Sequence, residues 1–202
     1  MSLAATSDGL DALIAGHGEA LLDVAVASVR HGLAHGKPLP VRAQDFAPAL
    51  RASGASFVTL HAGKDLRGCI GTARAWQALV ADVARNGFAA AFEDPRFDEV
   101  TPDWLAQLDI ELSLLGAPMA IAASSEAELI AALSPGRDGV ILSEGARRGL
   151  FLPQVWDTVP DPAEFVRHLK DKAGWDKGYW SPRIVAERFE VRTLSRERAW
   201  AG

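Results

Sequence analysis

The chain has 202 residues, 49% of them apolar and 23% charged, and carries a net charge of −5. That composition suits a folded protein able to bury a sizeable core, as one large domain or two small ones. The acidic balance argues against a nucleic-acid partner or an anionic membrane surface, since both require a concentrated positive face. The Arg-rich C-terminal stretch (Arg183, Arg188, Arg192, Arg196, Arg198) is interleaved with Glu187, Glu190 and Glu197, and reads as a solvated strand face. A single cysteine, Cys69, excludes an internal disulfide and any site built from several thiolates. No signal-peptide pattern opens the chain and no run of about 20 apolar residues occurs, so a cytoplasmic location without a membrane span is expected.

Leu22, Ala25, Val26, Val29 and Leu33 recur at helical spacing and predict a helix from about Glu19 to Ala34, ended by Gly36, Pro38 and Pro40. Ser56 to Leu60 predicts a strand, Ala62 to Asp65 a turn, and Leu66 to Ile70 the returning strand. Trp76, Leu79, Val80, Val83, Gly87 and Ala91 mark a helix face, and Thr101-Pro102 the start of another helix. Asp109 to Leu115 follows as a strand. In the second half, Ser125 and Glu128 form a capping-box pattern for a short helix to Leu133. Gly139 to Leu142 and Arg148 to Leu152 predict strands around a turn at Ser143 to Arg147. Asp161-Pro162-Ala163-Glu164 caps a helix to about Ala173, and Ile184 to Thr193 alternates as a final strand with Phe189 and Val191 inward.

This order is α+β, with an antiparallel or mixed sheet and flanking helices. Phe57 to Gly63 aligns with Gly139 to Gly145, and removing one residue from the turn aligns Arg67-Gly68 with Arg148-Gly149. The expectation is an internal strand-strand-helix-strand duplication, with halves at about 19–117 and 118–195.

The chemistry centres on Leu66-Arg67-Gly68-Cys69-Ile70-Gly71-Thr72. Arg67 and Cys69 stand two apart, so a regular strand puts them on one face, where the guanidinium would favour the ionised thiol. Gly68 and Gly71 suggest a side-chain-poor notch, whose N–H groups could meet an anion or carbonyl oxygen. With Gly63-Lys64 central in the turn, Cys69 faces Val58, and His61 pairs with Leu66 on the opposite face. Glu111 is a candidate acid or base and Asp94 a carboxylate that could orient a substrate amine, although a salt bridge or cap is the ordinary role of each. His31 and His35 lack the glutamate of a zinc-protease motif, His168 lies beside core positions, and no metal site is expected. Trp76, Trp156, Trp175 and Trp180 could line a pocket, with core packing the ordinary alternative.

The seven-residue segment resembles the signature of the AMMECR1-like family. Phe57 to Leu60, Asp94-Pro95-Arg96-Phe97, Ile110 to Leu115, Gly136 to Leu142, Phe151 to Val155 and Lys172-Ala173-Gly174 resemble further family blocks in family order. Together they cover the chain from about Leu21 to Thr193. Asp98-Glu99 and Trp175 depart from the family pattern. The resemblance implies one α+β domain of two subdomains across residues 1–202, with no established biochemical activity. It also implies a pathway shared with Memo-like and radical S-adenosylmethionine proteins; no cofactor is expected. The expected function is a thiol-dependent enzyme or accessory modification factor. Cys69, Arg67 and Glu111 would supply chemistry, and Gly68, Gly71, Thr72, Asp94 and Arg96 would bind an unknown small molecule or peptide. The competing reading is a noncatalytic peptide- or protein-binding module using the same groove; a metal carrier is weaker.

Overall fold

A computed structural model describes residues 7–200. Two units emerge: one runs to Gly116 and resumes at Arg192, and the other is Ala117–Val191. Residues 192–195, placed in the second half by the duplication boundary, therefore group with the first unit.

In the first unit, α1 (Ser7–His35) precedes a short α2 (Pro48–Arg51), then β1 (Ser53–Ala62), β2 (Asp65–Gly71), β3 (Gln77–Ala78) and α3 (Leu79–Phe92). The one-turn α4 (Pro102–Leu105) and β4 (Leu108–Leu115) follow, and β9 (Val191–Arg196) joins after the second unit. The strand order is β2-β1-β4-β9, with β3 paired to the start of β1. One face carries Val58, Leu60, Ile110, Leu112 and Leu114, all fully or almost fully buried with α1 and α3 residues in a single core. The other face carries Phe57, Thr59 and His61, each half-buried. Alternation of this kind follows from the two-residue period of a strand packed on one side.

Helix α1 begins well before the expected start, because Leu10 and Leu13 extend the same buried stripe. Gly36 ends it with φ +66°, a left-handed turn that glycine adopts without a Cβ penalty. Asp8–His35 is, by length and a mean hydropathy of 1.4, the one described helix long and apolar enough to cross a membrane. This departs from the expectation from contiguous runs, which Glu19, Asp23 and Arg30 interrupt. Half of that window is buried inside the protein, as a core helix would be.

The second unit holds β5 (Met119–Ala120), α5 (Glu126–Ala132), β6 (Gly139–Glu144), β7 (Arg147–Phe151), α6 (Pro162–Lys172) and β8 (Val185–Phe189). Its strand order is β5-β8-β6-β7, and β6 is antiparallel to both neighbours. Ser125 Oγ accepts the Glu128 N–H at 3.2 Å and Asp161 Oδ1 the Glu164 N–H at 2.9 Å, closing the starts of α5 and α6. Trp156 stacks on Phe165 at 3.7 Å between ring centroids, at the centre of a core that shares no residue with the first. The predicted strand from Ile184 to Thr193 is in fact two: β8 lies in this sheet and β9 in the other, with Glu190 at the break. Trp76 does not belong to α3 but precedes it, 71% exposed.

The sequence β1-β2-α3-β4 arranges its strands as β2-β1-β4, and β6-β7-α6-β8 arranges its strands as β7-β6-β8. Both hairpins turn through a glycine of positive φ, Gly63 at +62° and Gly145 at +59°. The extra residue of the first hairpin lies within the strand pairing rather than in the turn. His61 faces Leu66 but Leu60 faces Gly68, so Arg67 is a β-bulge. In the second hairpin Ser143 faces Arg148 and Leu142 faces Gly149 without interruption.

Candidate functional site

The bulge resets the register of every residue beyond it. Cys69 faces Thr59, not Val58. A one-residue shift moves a side chain to the other face of a strand. Cys69 therefore shares the outer face with Thr59, and with His61 two residues further along β1. The expectation that His61 lay opposite to Cys69 is corrected by this shift. Thr59 Oγ1 donates to Cys69 Sγ at 3.3 Å.

The main chain of Cys69 points away from β1. Its N–H donates to Asp94 Oδ2 at 2.8 Å, and its carbonyl accepts from Arg96 Nη2 at 3.2 Å. Thr59 and Cys69 are consequently a non-hydrogen-bonded pair, the type that brings facing side chains closest. Asp94 also accepts from Arg96 Nε and Nη2, at 2.9 and 2.7 Å. A carboxylate and a guanidinium thus occupy the place of a neighbouring strand at the sheet edge, satisfying both main-chain groups of the cysteine. The Arg96 hydrogen bonds hold the Asp94 carboxyl down to about 2; burial opposes this, and the N–H groups of Cys69 and Arg96 reinforce it. The Arg96 pKa is raised, first by its hydrogen bond with Asp94, against a smaller effect of burial, with Asp94 and Cys69 charges adding.

Arg67 is elsewhere. Its guanidinium lies over the Trp104 ring, 4.2 Å from the centroid, with Phe97, Asp98, Glu99, Val100 and Leu108 around a small cavity of about 60 Å³. In a bulge two successive residues oppose one partner, so Arg67 goes with Gly68 and not with Cys69. Arg96 is the arginine that touches Cys69.

The glycines form no open notch. A Cβ on Gly68 would fall 1.9 Å from the Ala90 carbonyl oxygen, so this glycine admits the backbone of α3. A Cβ on Gly71 would fall 2.1 Å from the ring of Phe57, its partner across the pair. Gly149 repeats the first device, with the Leu169 carbonyl oxygen of α6 at 2.6 Å from the added carbon. Thr72 ends the segment by donating its N–H to the Ser56 carbonyl at 2.8 Å, and its Oγ1 lies 3.2 Å from Asn86 Nδ2. Asn86 belongs to a buried network that sequence reasoning missed. The Asp82 Oδ2 accepts from Ser56 N–H, Ser56 Oγ and Asn86 Nδ2, at 2.9, 2.7 and 2.9 Å. This network ties the start of β1 to α3 on the core side.

Glu111 faces Thr59 from β4 and is half-buried. Two strand spacings separate it from Cys69, about 10 Å between Cα atoms, so it meets a ligand lying across the face rather than the sulfur itself. His61 and Thr59 were the missed side chains of this face. The i, i+2 relation of His61 to Thr59 was visible in the sequence; the bulge that made it relevant was not. No group of three or more potential metal ligands occurs among the described residues.

The fold and site describe a two-sheet α+β protein whose single thiol is displayed on the polar face of an edge strand. The profile of the AMMECR1 family matches residues 22–194, and the chain belongs to that family. It is similar to protein MK0488 of Methanopyrus kandleri, 32% identical over 189 residues that cover 89% of this chain and 88% of that protein. A Thermotoga maritima protein is 39% identical over 145 residues, covering 69% of this chain and 79% of its own length. The crystal structure of an uncharacterised protein from Pyrococcus horikoshii, PH0010, matches with a TM-score of 0.81 at 30% identity, covering 89% of this chain and 91% of that one.

Proposed function

We propose that this AMMECR1-family protein acts through Cys69, as a thiol-dependent enzyme or as a modification factor that carries a group transiently on sulfur. The observation that carries this reading is the double clamp of the Cys69 main chain by Asp94 and Arg96, which fixes a half-buried thiol on a polar face. Positioning of a nucleophile by its surroundings is what a chemical role requires, and a packing role does not need it. In this reading the sulfur, its proton given up to water, adds to a carbonyl carbon. The C=O electron pair moves onto oxygen and then returns to expel the leaving group, which takes a proton from water, while His61 and Glu111 face the bound ligand on the same face. Arg96 offers positive charge to a developing oxyanion. Arg67 is left out of the chemistry and Gly68 and Gly71 out of ligand contact, because Trp104, Ala90 and Phe57 occupy them. A cytoplasmic pathway shared with Memo-like and radical S-adenosylmethionine proteins would supply the electrophile.

Packing explains both glycines of the segment, and this favours a second reading in which the same face grips a peptide or partner by its side chains without chemistry. Strand addition beside Cys69 is not the mode, since Asp94 and Arg96 already occupy its outward N–H and C=O. Alkylation of the native protein by iodoacetamide, followed by mass spectrometry, separates the two. Modification at Cys69 in native buffer, slowed by Arg96→Ala and Thr59→Val, supports chemistry. A thiol that reacts only after denaturation rules it out.

A further inference from the structure

A cavity of about 670 Å³ in the second unit, lined by Glu144, Gly145, Ala146, Arg147, Trp175, Tyr179 and Arg183, has no role so far. We propose that it binds a small molecule combining a planar ring with an oxyanion, either phosphate or carboxylate.

The volume lies within the roughly 300–1,000 Å³ range of small-molecule sites. Its charge is cationic where a ligand would meet it. Glu144 is the one acid in the lining, and its carboxylate is already occupied. It accepts from Tyr179 Oη at 2.7 Å, Ser181 Oγ at 2.9 Å and Arg183 Nε at 2.8 Å. These bonds, the Tyr179 hydroxyl first, lower the Glu144 pKa. They also fix the phenol ring and one guanidinium in place. Arg147, across the hairpin turn from Glu144, is exposed and its side chain has no partner among the described residues. Arg147 is therefore free to meet an anion, with Arg183, paired through Nε to Glu144, beside it, and the planar guanidinium fork suits phosphate and carboxylate alike. Tyr179, half-buried, stands with its ring centroid 5.9 Å from that of the buried Trp175, which backs it, so the wall offers one supported aromatic surface on which a planar ring packs.

The related hairpin of the first unit sharpens the point. Ala62 and Asp65 occupy the positions that Glu144 and Arg147 hold here. The turn geometry is common to both hairpins, through Gly63 and Gly145, so the fold does not demand a Glu–Arg pair. Those residues serve something other than the turn.

The test is isothermal titration of the full chain with adenosine 5′-monophosphate and with indole-3-acetate, beside adenosine and indole as anion-free controls. At least one anionic probe is expected to bind saturably with Kd below about 1 mM, and which of the two does so identifies the oxyanion. Arg147→Ala should raise that Kd about tenfold or more without moving Tm, since the side chain holds nothing in the folded protein. Chemical-shift changes at the Trp175 indole N–H and the Gly145 and Ala146 amides should report the same site. Absence of saturable binding by either probe overturns the proposal. So does equal affinity for the anion-free controls, or an unchanged Kd in Arg147→Ala.

Discussion

Asp94 and the glycines of the motif set the energetics around Cys69. Because the folded-state pKa of Asp94, about 2, lies below the ordinary 3.8, its ionised form favours folding above that range, and this contribution is lost as pH falls from about 4 to about 2. The Arg96 side chain is 56% exposed, which screens the pair, so the contribution is on the order of 1–2 kcal/mol. Denaturant unfolding of Asp94→Asn should show that much less stability at pH 6 and a flatter pH dependence between 4 and 2, values spanned by the two pKa limits. The glycines separate by what fills their space. Gly68→Ala meets a backbone oxygen at 1.9 Å that cannot step aside, and should cost about 3 kcal/mol or more, or abolish folding. Gly71→Ala meets Phe57 Cγ at 2.1 Å, which clears only if the whole ring swings to another χ1 rotamer, and should still cost less than a clash with backbone. Phe57→Ala, which removes the clashing Cγ, should recover part of the Gly71→Ala loss in a double-mutant cycle but none of the Gly68→Ala loss.

At the level of elements, the bulge is the difference that matters between two hairpins of the same design. Deleting Arg67 would leave His61 facing Leu66 and Leu60 facing Gly68 with nothing between, the uninterrupted pairing of the second hairpin. The shortened protein should fold, with Cys69 still opposite Thr59. It should lose about 0.5–2 kcal/mol, from the contact of the guanidinium with Trp104. Retained alkylation of Cys69 with lowered stability is the expected pair of results. Loss of folding would mean that the bulge supplies twist the sheet cannot do without. The strand-edge clamp makes a further point: Asp94 and Arg96 come from the loop after α3, so the geometry at Cys69 depends on how that helix ends.

For the molecule as a whole, the two cores share no residue, which predicts unequal responses to damage in one of them. Phe165 is fully buried, stacked on Trp156 and edge-on to Phe151. Phe165→Ala should destabilise the second unit by about 3–5 kcal/mol. Hydrogen exchange should then quicken at the amides of β6, β7 and β8 while those of β1 and β4 keep their protection. Uniform loss of protection would show one cooperative unit instead.

Local rules written in the chain determined the helices, the hairpins and their order. Apolar spacing marked α1 and α3, Ser125 and Asp161 marked the starts of α5 and α6, and Gly63 and Gly145 supplied the positive φ of two-residue turns. The same rules aligned the two hairpins down to the one extra residue. Only tertiary structure decided where that residue went. A turn and a bulge absorb an insertion equally well locally, and the choice was made by Arg67 reaching Trp104, 37 positions away in number, with Gly68 seated against Ala90. From that choice came the face on which Cys69 stands, its neighbours Thr59 and His61, and the exchange of Arg67 for Arg96 beside it. Short-range periodicity sets which way a side chain alternates, but register is a contact between distant segments, and no single segment contains it.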